Sequence, residues 1–176
     1  MFKILTLLAG VLIAPAALAQ ANWRDIPCSQ SRLELPGLSH CATAGPMRTE
    51  GSSWGVAVTL YGTEGSSAGV YTNLLLYWPP AGVVMDQYNN ARAIEAIKEF
   101  NSVTLEKATD WGDLRSIGNT SYMQFKIGGQ GCIGFDHPGP LQGVGYAWHL
   151  SGYRCGDRGK PEDIAKALVA SIRVGK

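Results

Sequence analysis

Hydrophobic and polar positions alternate with a period of two along five stretches of the chain and follow a helical period in two others. In WGVAVTLYG (54–62), Trp54, Val56, Val58 and Leu60 share one parity, which predicts a half-buried strand. In VYTNLLLYW (70–78) both parities are apolar, so this strand is expected in the middle of a sheet, stopped by Pro79 and Pro80. GTEGSSAG between them reads as a turn, and a hairpin centred near Gly65 would bring the two even-numbered faces together. SVTLEKATDW (102–111) predicts another strand. SYMQFKIGGQGCIGF (121–135) carries Met123, Phe125, Ile127, Ile133 and Phe135 on one parity, and VGYAWHLSGYRC (144–155) returns beside it after the turn signal DHPGPLQG.

The helical period appears in QYNNARAIEAIKEF (87–100), where Ala93, Ile94, Ile97 and Phe100 form the apolar stripe. It appears again in PEDIAKALVASIRV (161–174), with Ile164, Leu168 and Ile172 on the stripe, Pro161 in the first turn and Glu162 and Asp163 complementing the macrodipole. The order β-β-α-β-β-β-α predicts an α+β domain: a mainly antiparallel sheet of about five strands with two amphipathic helices packed on it. Residues 20–50 show no sustained periodicity and read as an irregular N-terminal segment ahead of a single domain over 51–176.

Residues 1–19 change the picture of where this domain works. Lys3 precedes an apolar run from Ile4 to Ile13, and Ala17-Leu18-Ala19 forms a small-residue cleavage site, the pattern of a secretory signal peptide. Removing residues 1–19 from 176 leaves 157, one domain's worth. The mature chain is expected in the periplasm or outside the cell, with no transmembrane segment. Apolar residues make up 45% and charged residues 16%, and the formal charge is +1, so no basic stripe exists to hold nucleic acid.

Four cysteines behind such a leader favour disulfides over a zinc site, since no C-x-x-C spacing occurs. Of the three connectivities, Cys28–Cys41 clips the irregular segment and Cys132–Cys155 joins the last two strands. A tight turn near Pro140 would set Cys132 opposite Ala147 or His149, so a bulge at Gly128–Gly131 or a wide loop is expected to bring it to Cys155.

Motifs that might carry chemistry lack their setting. Gly129, Gly131 and Gly134 spell G-x-G-x-x-G, but Pro138 and Pro140 follow where a phosphate-binding helix would open, so no dinucleotide cofactor is expected. GSSWG (51–55) and GSSAG (65–69) match a nucleophile elbow and run into strands instead of helices. Asp110 and Asp113 flank Trp111, a carboxylate pair without a cleft.

Asp136, His137 and His149 are the candidate metal or catalytic set, since imidazole and carboxylate suit zinc or copper. On the last strand Tyr146, Trp148 and Leu150 share one parity. If these face the core, His149, Ser151 and Tyr153 form an amphipathic strip which, with Trp111, is the expected binding surface. The reading is an exported, disulfide-stapled binding or accessory protein for a protein or small-molecule partner. The alternative is a small secreted hydrolase or metal-binding protein built on Asp136, His137 and His149.

Overall fold

The computed structural model describes residues 23–48, 55–63, 69–79 and 108–175. The leader, the predicted helix over 87–100, most of the predicted strand over 102–111 and the serines of both G-x-S-x-G matches lie outside them.

The described chain is dominated by antiparallel sheet. Its strands are β1 (Trp23–Asp25), β2 (Leu33–Glu34), β3 (His40–Arg48), β4 (Gly55–Thr63), β5 (Tyr71–Trp78), β6 (Ala108–Thr109), β7 (Arg115–Ile117), β8 (Thr120–Ile127), β9 (Gln130–Pro138), β10 (Leu141–Gln142), β11 (Gly145–Tyr146), β12 (His149–Cys155) and β13 (Arg173–Val174), with one helix, α1 (Pro161–Ser171). Nine strands form one sheet in the order β1-β3-β4-β5-β12-β9-β8-β6, with β7 also pairing β8, and the sheet curls into a half-barrel.

This corrects the expectation of about five strands carrying two packed helices. Among the described residues α1 is the one α-helix, and the sheet is larger because the stretch read as irregular supplies β1 and β3, the stretch over 121–135 divides into β8 and β9, and β7 is added. His40–Arg48 is built of Ala, Thr and Gly rather than alternating large apolar residues, so it lacks a clear period of two. Its pairing with β4 slips by one residue between Ala44 and Met47, where Pro46 need not donate to the ladder.

Three registers differ from the sequence reading. The β4–β5 hairpin pairs Leu60 with Leu75 and Thr63 with Thr72, so its centre lies between 67 and 68 and even positions on one strand meet odd positions on the other. The stretch over 121–135 is two strands, not one. Gly128 and Gly129 form the connection of the β8–β9 hairpin with φ of 57° and 82°, and Ile127 pairs with Gln130. Two successive positive φ values are the signature of a type I′ turn, which matches the right-handed twist of the flanking strands. The glycines therefore reverse the chain, and no bulge is required of them.

The third register concerns the last hairpin. Cys132 pairs directly with Cys155, and the same register continues through His149 with Pro138 and Leu141 with Tyr146 to a turn at Gly143–Val144. Gly139 N–H donates to the Trp148 carbonyl and Ala147 N–H to the Pro140 carbonyl, which carries the ladder past the prolines. The turn sits further out than Pro140, and the disulfide pairing follows without distortion. Both bonds are formed: Cys28–Cys41 with Cα atoms 5.2 Å apart and Cys132–Cys155 at 4.1 Å.

Both faces of the central strands are buried. On one face Leu74, Leu76, Ile133, Phe135 and Leu150 pack with Leu33, Cys41 and the helix residues Ala165 and Leu168. On the other, Leu75, Phe125, Tyr153 and the Cys132–Cys155 bridge form a second cluster, joined by Trp111 and Tyr71. The helical stripe of α1 explains its placement over β8 and β9, and β13 then pairs back with β2, closing the C-terminus onto the N-terminal segment. No helix of the described residues is long and apolar enough to cross a membrane.

Candidate functional site

The register of the last hairpin sets Ser151 on β12 directly opposite Asp136 on β9. Side chains on directly paired residues lie close on one face of a sheet, and the Ser151 hydroxyl donates to Asp136 Oδ1 at 2.7 Å. His149, two residues earlier on the same face, places Nδ1 3.7 Å from Asp136 Oδ2. The Tyr146 ring meets the imidazole edge-on with centroids 5.3 Å apart. Asp136, His149 and Ser151 are 2%, 0% and 1% exposed. A carboxylate taken from water at such depth is costly unless donors satisfy it, and Ser151 supplies one.

The order of contacts decides what this trio can do. A hydrolytic triad hands the serine proton to the imidazole, with the carboxylate behind the imidazole. Here the carboxylate lies between the other two, and the serine proton is already committed to it. The group is also sealed within the sheet's second core. Its geometry is that of a buried polar lock between β9 and β12.

His137 does not join it. Adjacent residues of an extended strand face opposite ways, and His137 lies on the α1 side of the sheet, where Thr120 Oγ1 and Nδ1 are 2.8 Å apart. Its ring is tilted against Trp148, centroids 5.8 Å apart. Burial lowers its pKa from 6.5; the Asp136 carboxylate opposes that shift, and His149 adds to it. The structure thus divides the expected set, bringing Asp136 and His149 together and excluding His137. Among the described residues no three His, Cys, Asp or Glu side chains gather to hold a metal.

The residues of the expected binding strip lie within the sheet. His149, Ser151 and Tyr153 point into the second core instead of solvent, since both faces of β12 are covered. Asn73 Nδ2 donates to the Tyr153 hydroxyl at 2.6 Å, and the Tyr153 ring meets Phe125 edge-on. Trp111 is half-buried and stacked on Phe125 at 4.6 Å. Asp110, beside it, pairs with Lys126 at 2.9 Å rather than with Asp113.

Accessible concavity lies elsewhere, along α1. A 490 Å³ cleft runs between the helix and Leu35-Pro36, floored by Leu35, Ile164, Ala167 and Leu168, with Arg154, Arg158 and Lys160 at the end near the helix N-terminus. A second cleft of 560 Å³ shares Leu35, Pro36 and Ser171 with the first and continues to Arg173. The Cys28–Cys41 bond and the β2–β13 pairing hold the N-terminal wall of this groove. Sequence reading missed these residues. RCGDRGKPED, a charged run ahead of the helix, was the local signal available. No protein-family model, curated protein or solved structure matches the chain.

Proposed function

We propose that this chain is an exported, disulfide-stapled binding or accessory protein of the periplasm or cell exterior, and that it binds its partner in the groove along α1. One observation carries the reading: the groove is open to solvent and combines an apolar floor with a charged end, as ligand sites do. The acid–imidazole–hydroxyl cluster, in contrast, is shut inside the sheet. Two disulfides suit an oxidising compartment, and the signal-like first 19 residues point the same way.

Photo-crosslinking in the producing cell tests it. A benzophenone side chain at Ala167, on the groove floor, is expected to give a defined adduct, and one at exposed Gln142, on the far hairpin, is not. No adduct from position 167, or equal adducts from both, overturns the reading. The second reading, a small hydrolase or metal-binding protein using Asp136 and His149, draws on the convergence of those two residues with Ser151. It requires His149→Ala to abolish an esterase activity or a stoichiometric metal in the purified protein.

A further inference from the structure

We infer that the groove takes an extended apolar peptide segment ending in a carboxylate, with that carboxylate at Arg158 and Lys160; this rests on the binding reading above. The charges lining the first cleft are Arg154, Arg158 and Lys160 against Asp157 and Asp163. Arg154 is committed: its guanidinium binds the Asp157 carboxylate and reaches the Thr72 hydroxyl. Asp157 is thereby neutralised. Arg158 and Lys160 are exposed and form no ion pair among the described residues, leaving two cations against Asp163 at one end of an apolar trough. An anion arriving there gains Coulomb attraction without displacing an ion-pair partner among the described residues.

The shape favours a peptide over a free acyl chain. The groove is open along its length, so an acyl chain would keep much of its surface wet. A peptide in the same place turns its polar backbone outward and sets alternate side chains on Leu35, Ile164 and Ala167. The 11 residues of α1 rise about 1.5 Å each. An extended segment of about five residues, at roughly 3.3 Å each, covers the same length.

The test is an amide-shift titration of the ¹⁵N-labelled, disulfide-intact protein with three probes: acetyl-Leu-Ala-Leu-Ala-Gln with a free terminal carboxylate, the same peptide as its C-terminal amide, and dodecanoate. The free-carboxylate peptide is expected to move residues 35–38 and 158–173 and to bind best of the three. Arg158→Glu combined with Lys160→Glu should weaken it about fivefold to tenfold, as the loss of two exposed charge contacts implies, and added salt should weaken it too. Equal or better binding of the amide or of dodecanoate, or no effect of the charge reversals, overturns the ligand class and leaves a groove that binds something else. If no peptide binds while the crosslinker at Ala167 still gives a defined adduct, the inference fails and the binding reading stands. If the crosslinker is silent as well, both fail.

Discussion

Asp136 is the residue whose removal says most about the sealed cluster. Asp136→Ala takes away the acceptor of the Ser151 hydroxyl, in a place where Ser151 is 1% exposed and has little access to water. A buried polar group left unsatisfied costs about 1–3 kcal/mol, and losing one member of a buried charged set costs about 3–5 kcal/mol; a value near 3 kcal/mol is expected. Ser151→Ala removes a hydroxyl bond to the carboxylate and should cost about 2 kcal/mol. Asp136→Asn keeps the shape and the accepting oxygen and should cost about 1 kcal/mol. Because Ser151 and Asp136 share one bond, the double alanine variant should be no worse than Asp136→Ala alone, a coupling of about 2 kcal/mol. Urea unfolding of the oxidised protein, followed by tryptophan fluorescence, reads this directly: with a slope of about 2 kcal/mol/M, Asp136→Ala moves the midpoint down by about 1.5 M. A shift below about 0.3 M, or strictly additive single effects, would refute the assignment of this trio as a lock between β9 and β12.

Three further outcomes follow from other parts of the fold. A Cβ at Gly152 would stand 2.5 Å from the Asn73 carbonyl oxygen and 2.8 Å from Leu74 Cδ2; since the backbone cannot step aside, Gly152→Ala should cost about 1–3 kcal/mol, seen as a lower melting temperature, and an unchanged one contradicts the packing of β12 on β5. Replacing Cys132 and Cys155 by Ala opens a loop of separation 23, against 13 for Cys28 and Cys41, and chain entropy puts the losses at about 3.4 and 2.9 kcal/mol; a larger loss from the N-terminal bond would show that this bond does more than close its loop. The His137 imidazole should titrate below 6.5 by NMR, because burial disfavours its charged form. Its stability contribution is then complete above pH 6.5 and falls as the pH drops from there through the lowered value, and a measured pKa at or above 6.5 excludes this environment.

Which face a residue takes was legible only where one face of the sheet was wet, and in this sheet the central strands have none. Parity along 121–135 joins Phe125 to Ile133 without a break because both are apolar, yet the turn at Gly128–Gly129 puts Phe125 with Cys132 on one side and Ile133 with Phe135 on the other. With apolar residues on both faces, alternation identifies the strand but not its register. The two adjacent glycines were the discriminating signal, and their coincidence with a G-x-G-x-x-G spelling drew attention to spacing rather than to their left-handed backbone.

The same ambiguity hid the polar lock. His149, Ser151 and Tyr153 look like a solvent strip because polar residues on alternate positions usually are one. Burial of such residues is signalled by a partner, and the partner here is Asp136, identified only once Cys132 is set opposite Cys155. That pairing was readable from the cysteines, and extending it inward by four residues reaches Asp136 and Ser151; a turn fixed at Pro140 broke the count. The groove had no such handle. Leu35 and Arg158 are brought together by the Cys28–Cys41 loop, the β2–β13 pairing and the docking of α1, none of which leaves a period or a motif in the residues that line it. Sites made by closing the two ends of a chain on each other escape a reading that looks along the chain, and for this protein such a site is where binding is expected.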